Sequence, residues 1–100
     1  MTDTTTKKYL MPETATFTNQ EIPAGTRESL ANYLEHGVPT GSFLYAVLTN
    51  NLIMAALKAD SVNKHLLYEY VLWLFDNAPG DSWGSVDKVE KWLATHADAS

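Results

Sequence analysis

SVNKHLLYEYVLWLFDNAPG, residues 61–80, is the stretch whose reading decides the fold class of this chain. Ser61 offers an N-terminal cap and Ala78-Pro79-Gly80 ends the run, so the spacing predicts a helix over 61–77. Between Leu66 and Phe75 the one charged residue is Glu69. At steps of about 100° per residue, Leu67, Val71, Leu74, Phe75 and Ala78 share one stripe, which is read as the core face. Leu66, Tyr70 and Trp73 form a second stripe, bordered by Glu69, Asp76 and Asn77. A helix apolar on more than one side is either central or covered by something else. The cover is either the N-terminal segment or the first helix, or it is a partner. The partner reading makes Leu66, Glu69, Tyr70, Trp73 and Asp76 the expected contact surface.

Working outward, the first helix is expected from about Pro23 or Thr26 to His36, with Ile22, Thr26, Leu30, Tyr33 and Leu34 on one face. Gly37 is its stop signal, because glycine takes a left-handed conformation without steric cost, and Pro39 prevents continuation. A second helix should start at Thr40 or Ser42 and run to about Lys58, with a break at Ala59-Asp60-Ser61. After the third, Asp81-Ser82-Trp83-Gly84 reads as a turn, and Ser85 caps a last helix carrying Val86, Val89, Trp92 and Leu93. Four helices joined by short loops imply an all-α, compact four-helix domain over residues 22–96. Residues 1–21 hold Thr2, Thr4, Thr5, Thr6, Thr14, Thr16 and Thr18 with few apolar residues and no helical period. They read as a flexible arm in which Tyr9, Met11 and Phe17 can dock locally or pair as a short strand. Residues 97–100 read as a tail.

Composition narrows the function classes. With 45% hydrophobic residues among 100, the chain can bury a core as one domain. It has no cysteine, so disulfides and thiolate metal sites are unavailable. The net charge of −5 and seven scattered bases direct it away from nucleic acid. The acids are scattered too, unlike the dense rows a DNA mimic needs. No apolar run exceeds the length of Phe43 to Leu48, so no membrane partner is expected, and Tyr9-Leu10-Met11 before Pro12 is too short for a signal peptide.

No constellation reads as catalytic. His65 and Glu69 lie four apart and could meet on a helix, but no third ligand is tied to them by spacing, so an exposed ion pair is the expected role. His36 suits the carbonyl end of the first helix, and His96 falls in a fraying tail. The five glycines are isolated, so there is no phosphate loop. Asn50 and Asn51 interrupt an apolar helix. They read either as a polar pair facing a ligand or, preferably, as a solvent-side amide beside one bonded to a neighbouring loop, such as the turn at Trp83. Trp83-Gly84-Ser85 reads as plug, tight turn and cap. No cofactor and no metal are expected.

The residues Ile22-Pro23, Thr26, Leu30, Tyr33, Gly37, Pro39, Gly41-Ser42-Phe43-Leu44, Ala46-Val47-Leu48, Asn50, Leu52, Ala59-Asp60, Asn63, Leu67, Pro79 and Trp83-Gly84-Ser85 form a pattern. It resembles a family of small uncharacterised helical proteins encoded by bacteriophages and prophages. The resemblance runs from Ile22 to Trp92 and implies a helical fold and a setting, the bacterial host cytoplasm, but no activity. Where that family often has an acid, this chain has Asn51, so a carboxylate base or ligand is unavailable there. The expected function is a non-enzymatic phage accessory protein that binds a host or defence protein. The alternative is a self-assembling homodimer that sequesters a small ligand or serves as a structural accessory.

Overall fold

Helix-stop chemistry at Gly37, as expected, and at Asn50, which was not expected, sets how this chain is divided into helices. The computed structural model describes residues 9–99, with side chains as far as His96. It is all-α: α1 (Ala24–His36), α2 (Ser42–Leu48), α3 (Leu52–Lys58), a 3-10 turn at Asn63–His65, α4 (Leu67–Asn77) and α5 (Val86–Ala99). Among the described residues five α-helices therefore replace the expected four, because the second splits in two. Asn50 adopts a left-handed backbone with φ 63°, a conformation asparagine reaches more readily than most side chains. The N–H groups of Asn50 and Asn51 then close back on the carbonyls of Val47 and Ala46 at 3.1 and 2.8 Å. That pair of bonds is the Schellman ending of a helix. The Asn51 side chain accepts the Met54 N–H at 3.1 Å and caps α3. The expected break after Lys58 is present, with Asp60 Oδ1 accepting the N–H groups of Val62 and Asn63.

Over residues 9–21 the segment expected to be a flexible arm docks on the core through Met11, one of the residues expected to dock, and Ala15, while most of its other residues are exposed. Met11 and Ala15 are buried alongside Ile22. Thr14 and Glu21 form an isolated antiparallel bridge, and Ile22 N–H and Ala15 N–H bond the carbonyls of Glu13 and Gln20, both at 2.8 Å. The turn between them places Asn19 at φ 57°. Composition misleads here because abundant threonine makes the segment polar on average, whereas docking needs only a few well-placed apolar groups. Residues 1–8 of the expected arm lie outside the described residues. At the other end, the expected tail is helical through Ala99, and Ser100 lies outside the described residues.

The core gathers Leu30, Tyr33 and Leu34 of α1, Leu44, Val47 and Leu48 of α2, Leu66 before α4, Tyr70 and Leu74 of α4, and Val89 of α5. Polar threads tie its ends. Tyr33 donates its hydroxyl to the Ser82 carbonyl at 2.7 Å, Trp92 donates its indole N–H to the Tyr33 carbonyl at 2.9 Å, and Gly84 N–H reaches the Leu48 carbonyl at 2.7 Å. Ser85 Oγ accepts the Lys88 N–H at 3.2 Å and caps α5, and Trp83 packs half-buried against the core.

Gly37 ends α1 with φ 66°, and it has a second reason to be glycine. The α5 helix crosses so closely that a Cβ at position 37 would overlap the Cβ of His96. His96, expected in a fraying tail, instead stacks on Trp92 with ring centroids 4.3 Å apart. Gly37→Val therefore incurs about 1–2 kcal/mol of backbone strain and about 1–3 kcal/mol of overpacking. Gly37→Asn relieves most of the first and none of the second. In urea titrations both variants should be less stable than wild type, with Val the worse. A neutral Asn variant would show that α5 does not press on this position.

Candidate functional site

On α4 the structure keeps part of the expected core stripe and adds the other: Leu74 is buried and Leu67 and Ala78 pack half-buried against the core as expected, whereas Val71 and Phe75 are exposed. Leu66, Tyr70 and Leu74 are fully buried, and Trp73 packs half-buried against the core. The stripe read as a partner surface therefore faces inward, covered by the chain itself. Glu69 is the reason this side of α4 is closed. Its carboxylate accepts the N–H groups of Thr16 and Phe17 at 3.0 and 3.2 Å and is itself 8% exposed. It is thus bound to backbone and not to His65, which sits exposed in the 3-10 turn outside the helical register that would pair them. Of the five expected contact residues only Asp76 is exposed. Asn50 and Asn51 form the joint between α2 and α3 and line a narrow seam beside α4. The turn at Trp83 meets the Leu48 carbonyl instead of Asn51.

The side of α4 left outside carries Tyr68, Val71 and Phe75, with Phe75 75% exposed. Phe17, held over this helix by Glu69, lays its ring 5.0 Å from that of Tyr68. Next to it runs α3, LIMAALK, in which only Ala55 is buried. Leu52, Ile53 and Leu57 are 69%, 73% and 71% exposed. The seam between the helices is lined by Leu52, Ala55, Leu67 and Val71 and has a volume of about 40 Å³, room for one or two waters and no ligand. At the far end, Phe75 shares an open hollow with Trp83 and Lys88 at the start of α5. Exposed apolar residues therefore stand on both α3 and α4, on either side of this seam. Sequence reasoning missed this by treating 42–58 as one rod. The available signal was that residues 52–57 are apolar on every side, with no polar face to give to water.

The buried polar side chains, by contrast, hold the fold together. Tyr70 donates its hydroxyl to Asn63 Oδ1 at 2.5 Å, and Ser82 Oγ bonds the Pro79 carbonyl at 2.6 Å. Among the described residues no buried side-chain nitrogen or oxygen is left without a partner. No group of three or more His, Asp or Glu residues among them is placed to hold a metal ion. No described helix is long and apolar enough to cross a membrane. Burial holds the Tyr33 hydroxyl well above its ordinary range, with the Glu90 carboxylate adding to the effect. Burial likewise pushes Tyr70 up to about 12, against a hydrogen bond from Thr26 that lowers it. Half-buried Tyr45 is raised chiefly by donating its hydroxyl to Glu90 at 2.8 Å.

The class these features define is a small all-α protein with its buried polar side chains satisfied and with exposed apolar residues on α3 and α4. In comparisons with known proteins, no family model, no curated protein and no solved structure matches this chain.

Glu69→Ala removes the acceptor for two backbone N–H groups and should cost about 1–3 kcal/mol, while Glu69→Gln, which keeps one oxygen, should cost less. Urea midpoints check the ranking, and an undiminished Glu69→Ala midpoint would show that Thr16 and Phe17 find other partners. Alkali tests the tyrosines. Below pH 10 folded and unfolded chains hold the same phenolic protons. Above it the unfolded chain loses them first, because the folded Tyr33 and Tyr70 values are raised. Stability should therefore fall as pH rises from about 10 towards 12. Tyrosinate absorbance should show two tyrosines ionising only as the helical circular dichroism is lost. Ionisation of all five tyrosines in the folded protein would contradict this.

Proposed function

We propose that this chain is a non-enzymatic accessory protein that works by binding another protein, and that the α3–α4 surface is where it binds. The observation that carries this reading is the exposure of Leu52, Ile53, Leu57, Tyr68 and Phe75 on two adjacent helices. Monomeric proteins rarely leave contiguous apolar patches larger than a few hundred Å² in water. The loss is large, because burying a single such side chain is worth about 1.5–3 kcal/mol. The Cα radius of gyration, 13.1 Å, is that of a well-packed chain of this length, so the patch does not result from an open arrangement. Aromatic groups of this kind are the usual anchors of protein contacts. The patch carries no Lys or Arg on its exposed α3 and α4 positions between 52 and 57 or at 68, 71 and 75, which favours a protein surface over nucleic acid.

The non-enzymatic part of the reading is supported by the commitment of Glu69, Asp60, Asn63 and Ser82 to internal hydrogen bonds. The setting comes from the resemblance to bacteriophage proteins, which makes a host or defence protein in the bacterial cytoplasm the target class. Ile53→Asp and Phe75→Asp alter exposed positions and should leave folding within about 0.5 kcal/mol of wild type. Cross-linked capture from bacterial extract should recover the same target with wild type and with Lys91→Glu, an exposed change on α5. Recovery should fall at least tenfold with either aspartate variant. Equal recovery by the aspartate variants would show that the target binds elsewhere.

A further inference from the structure

We infer that in the absence of a target the α3–α4 surface is occupied by a second copy of this chain, in a two-fold symmetric dimer. This rests on reading that surface as a contact face and goes further by naming what covers it. A seven-residue helix is well below the length that is stable in water by itself. The α3 helix is anchored to its own chain through a single buried residue, Ala55, while Leu52, Ile53 and Leu57 stand out from it. Such a helix needs apolar neighbours on more than one side. An aromatic side chain offers about 150–250 Å². Five large residues about two-thirds exposed, with Val71 and the stacked Phe17, make a patch on the order of 800 Å², the share of one partner in a standard interface.

The face also suits pairing with itself. A two-fold contact must be self-complementary, with residue i of one copy meeting j of the other and j meeting i. One half of this face is aliphatic (Leu52, Ile53, Leu57) and the other aromatic (Tyr68, Phe75, Phe17), so each half has an unlike apolar partner in the second copy. The chain's net charge of −5 opposes pairing only where acids meet, and the face has none among its exposed side chains. The charges at the ends of its two helices, Lys58 of α3 and Asp76 of α4, are opposite in sign.

The chain has no cysteine, so Ile53→Cys introduces a single thiol on the exposed side of α3. Its reaction rate with a thiol reagent and its mass by sedimentation can be followed over the same dilution series. The expected result is a dimer at high concentration with the thiol at least tenfold slower than in an unfolded peptide. The protection should vanish as dilution releases monomer, and adding Leu57→Asp should give a folded monomer with a reactive thiol. A chain that is monomeric throughout with a reactive thiol would overturn the dimer and leave the face open to a different protein. A dimer whose thiol stays reactive would place self-association elsewhere and overturn the proposal. A protected thiol in a folded monomer would overturn the contact-face reading as well, since α3 would then be packed within its own chain.

Discussion

The Glu69 carboxylate, receiving the N–H groups of Thr16 and Phe17, sets the orientation on which the rest of this molecule depends. Both sides of α4 are apolar, so hydrophobic burial by itself does not choose between them. A carboxylate can be buried only where donors meet it, and the two donors are supplied by the turn that follows Met11 and Ala15. With that turn docked on the Glu69 side, Leu66, Tyr70 and Leu74 point inward. Tyr68, Val71 and Phe75 are then left outside as a geometric consequence of the helical repeat.

The same orientation explains how α4 connects to what precedes it. Tyr70 reaches Asn63, and the N–H of Asn63 is held by Asp60, so one short polar chain fixes the 3-10 turn between α3 and α4. Tyr33 and Trp92 do the equivalent at the opposite end, pinning the turn before α5 and α5 itself to α1. These contacts are strong because they are buried and satisfied, and their removal would strand polar groups away from water.

The apolar face is built by a joint. Had residues 42–58 formed a single helix, Leu52 would have continued the stripe of Leu44 and Leu48 towards the core. The left-handed turn at Asn50 redirects the chain, and Asn51 restarts it, so α3 leaves the core with only Ala55 anchored. Gly37 makes the other sharp change of direction, and there the requirement is twofold, a positive φ and the close passage of His96.

The sequence by itself determined the helical class, the ends of α1 at Gly37 and of α4 before Pro79, the break before Asp60 and the cap at Ser85. Each of these depends on one residue and its nearest neighbours, through backbone conformation or a local hydrogen bond. Even the joint at Asn50 and Asn51 was visible as two poor helix formers in an apolar run, although their left-handed turn was not. Only the tertiary structure decided which stripe of α4 is core and whether residues 9–21 dock. Those choices depend on contacts between residues more than fifty positions apart, such as Glu69 with Thr16, and periodicity along one helix contains no information about them. The exposed face of α3 and α4 follows from that long-range choice: the residues that make it were legible as hydrophobic, but their exposure is a property of how the helices were turned.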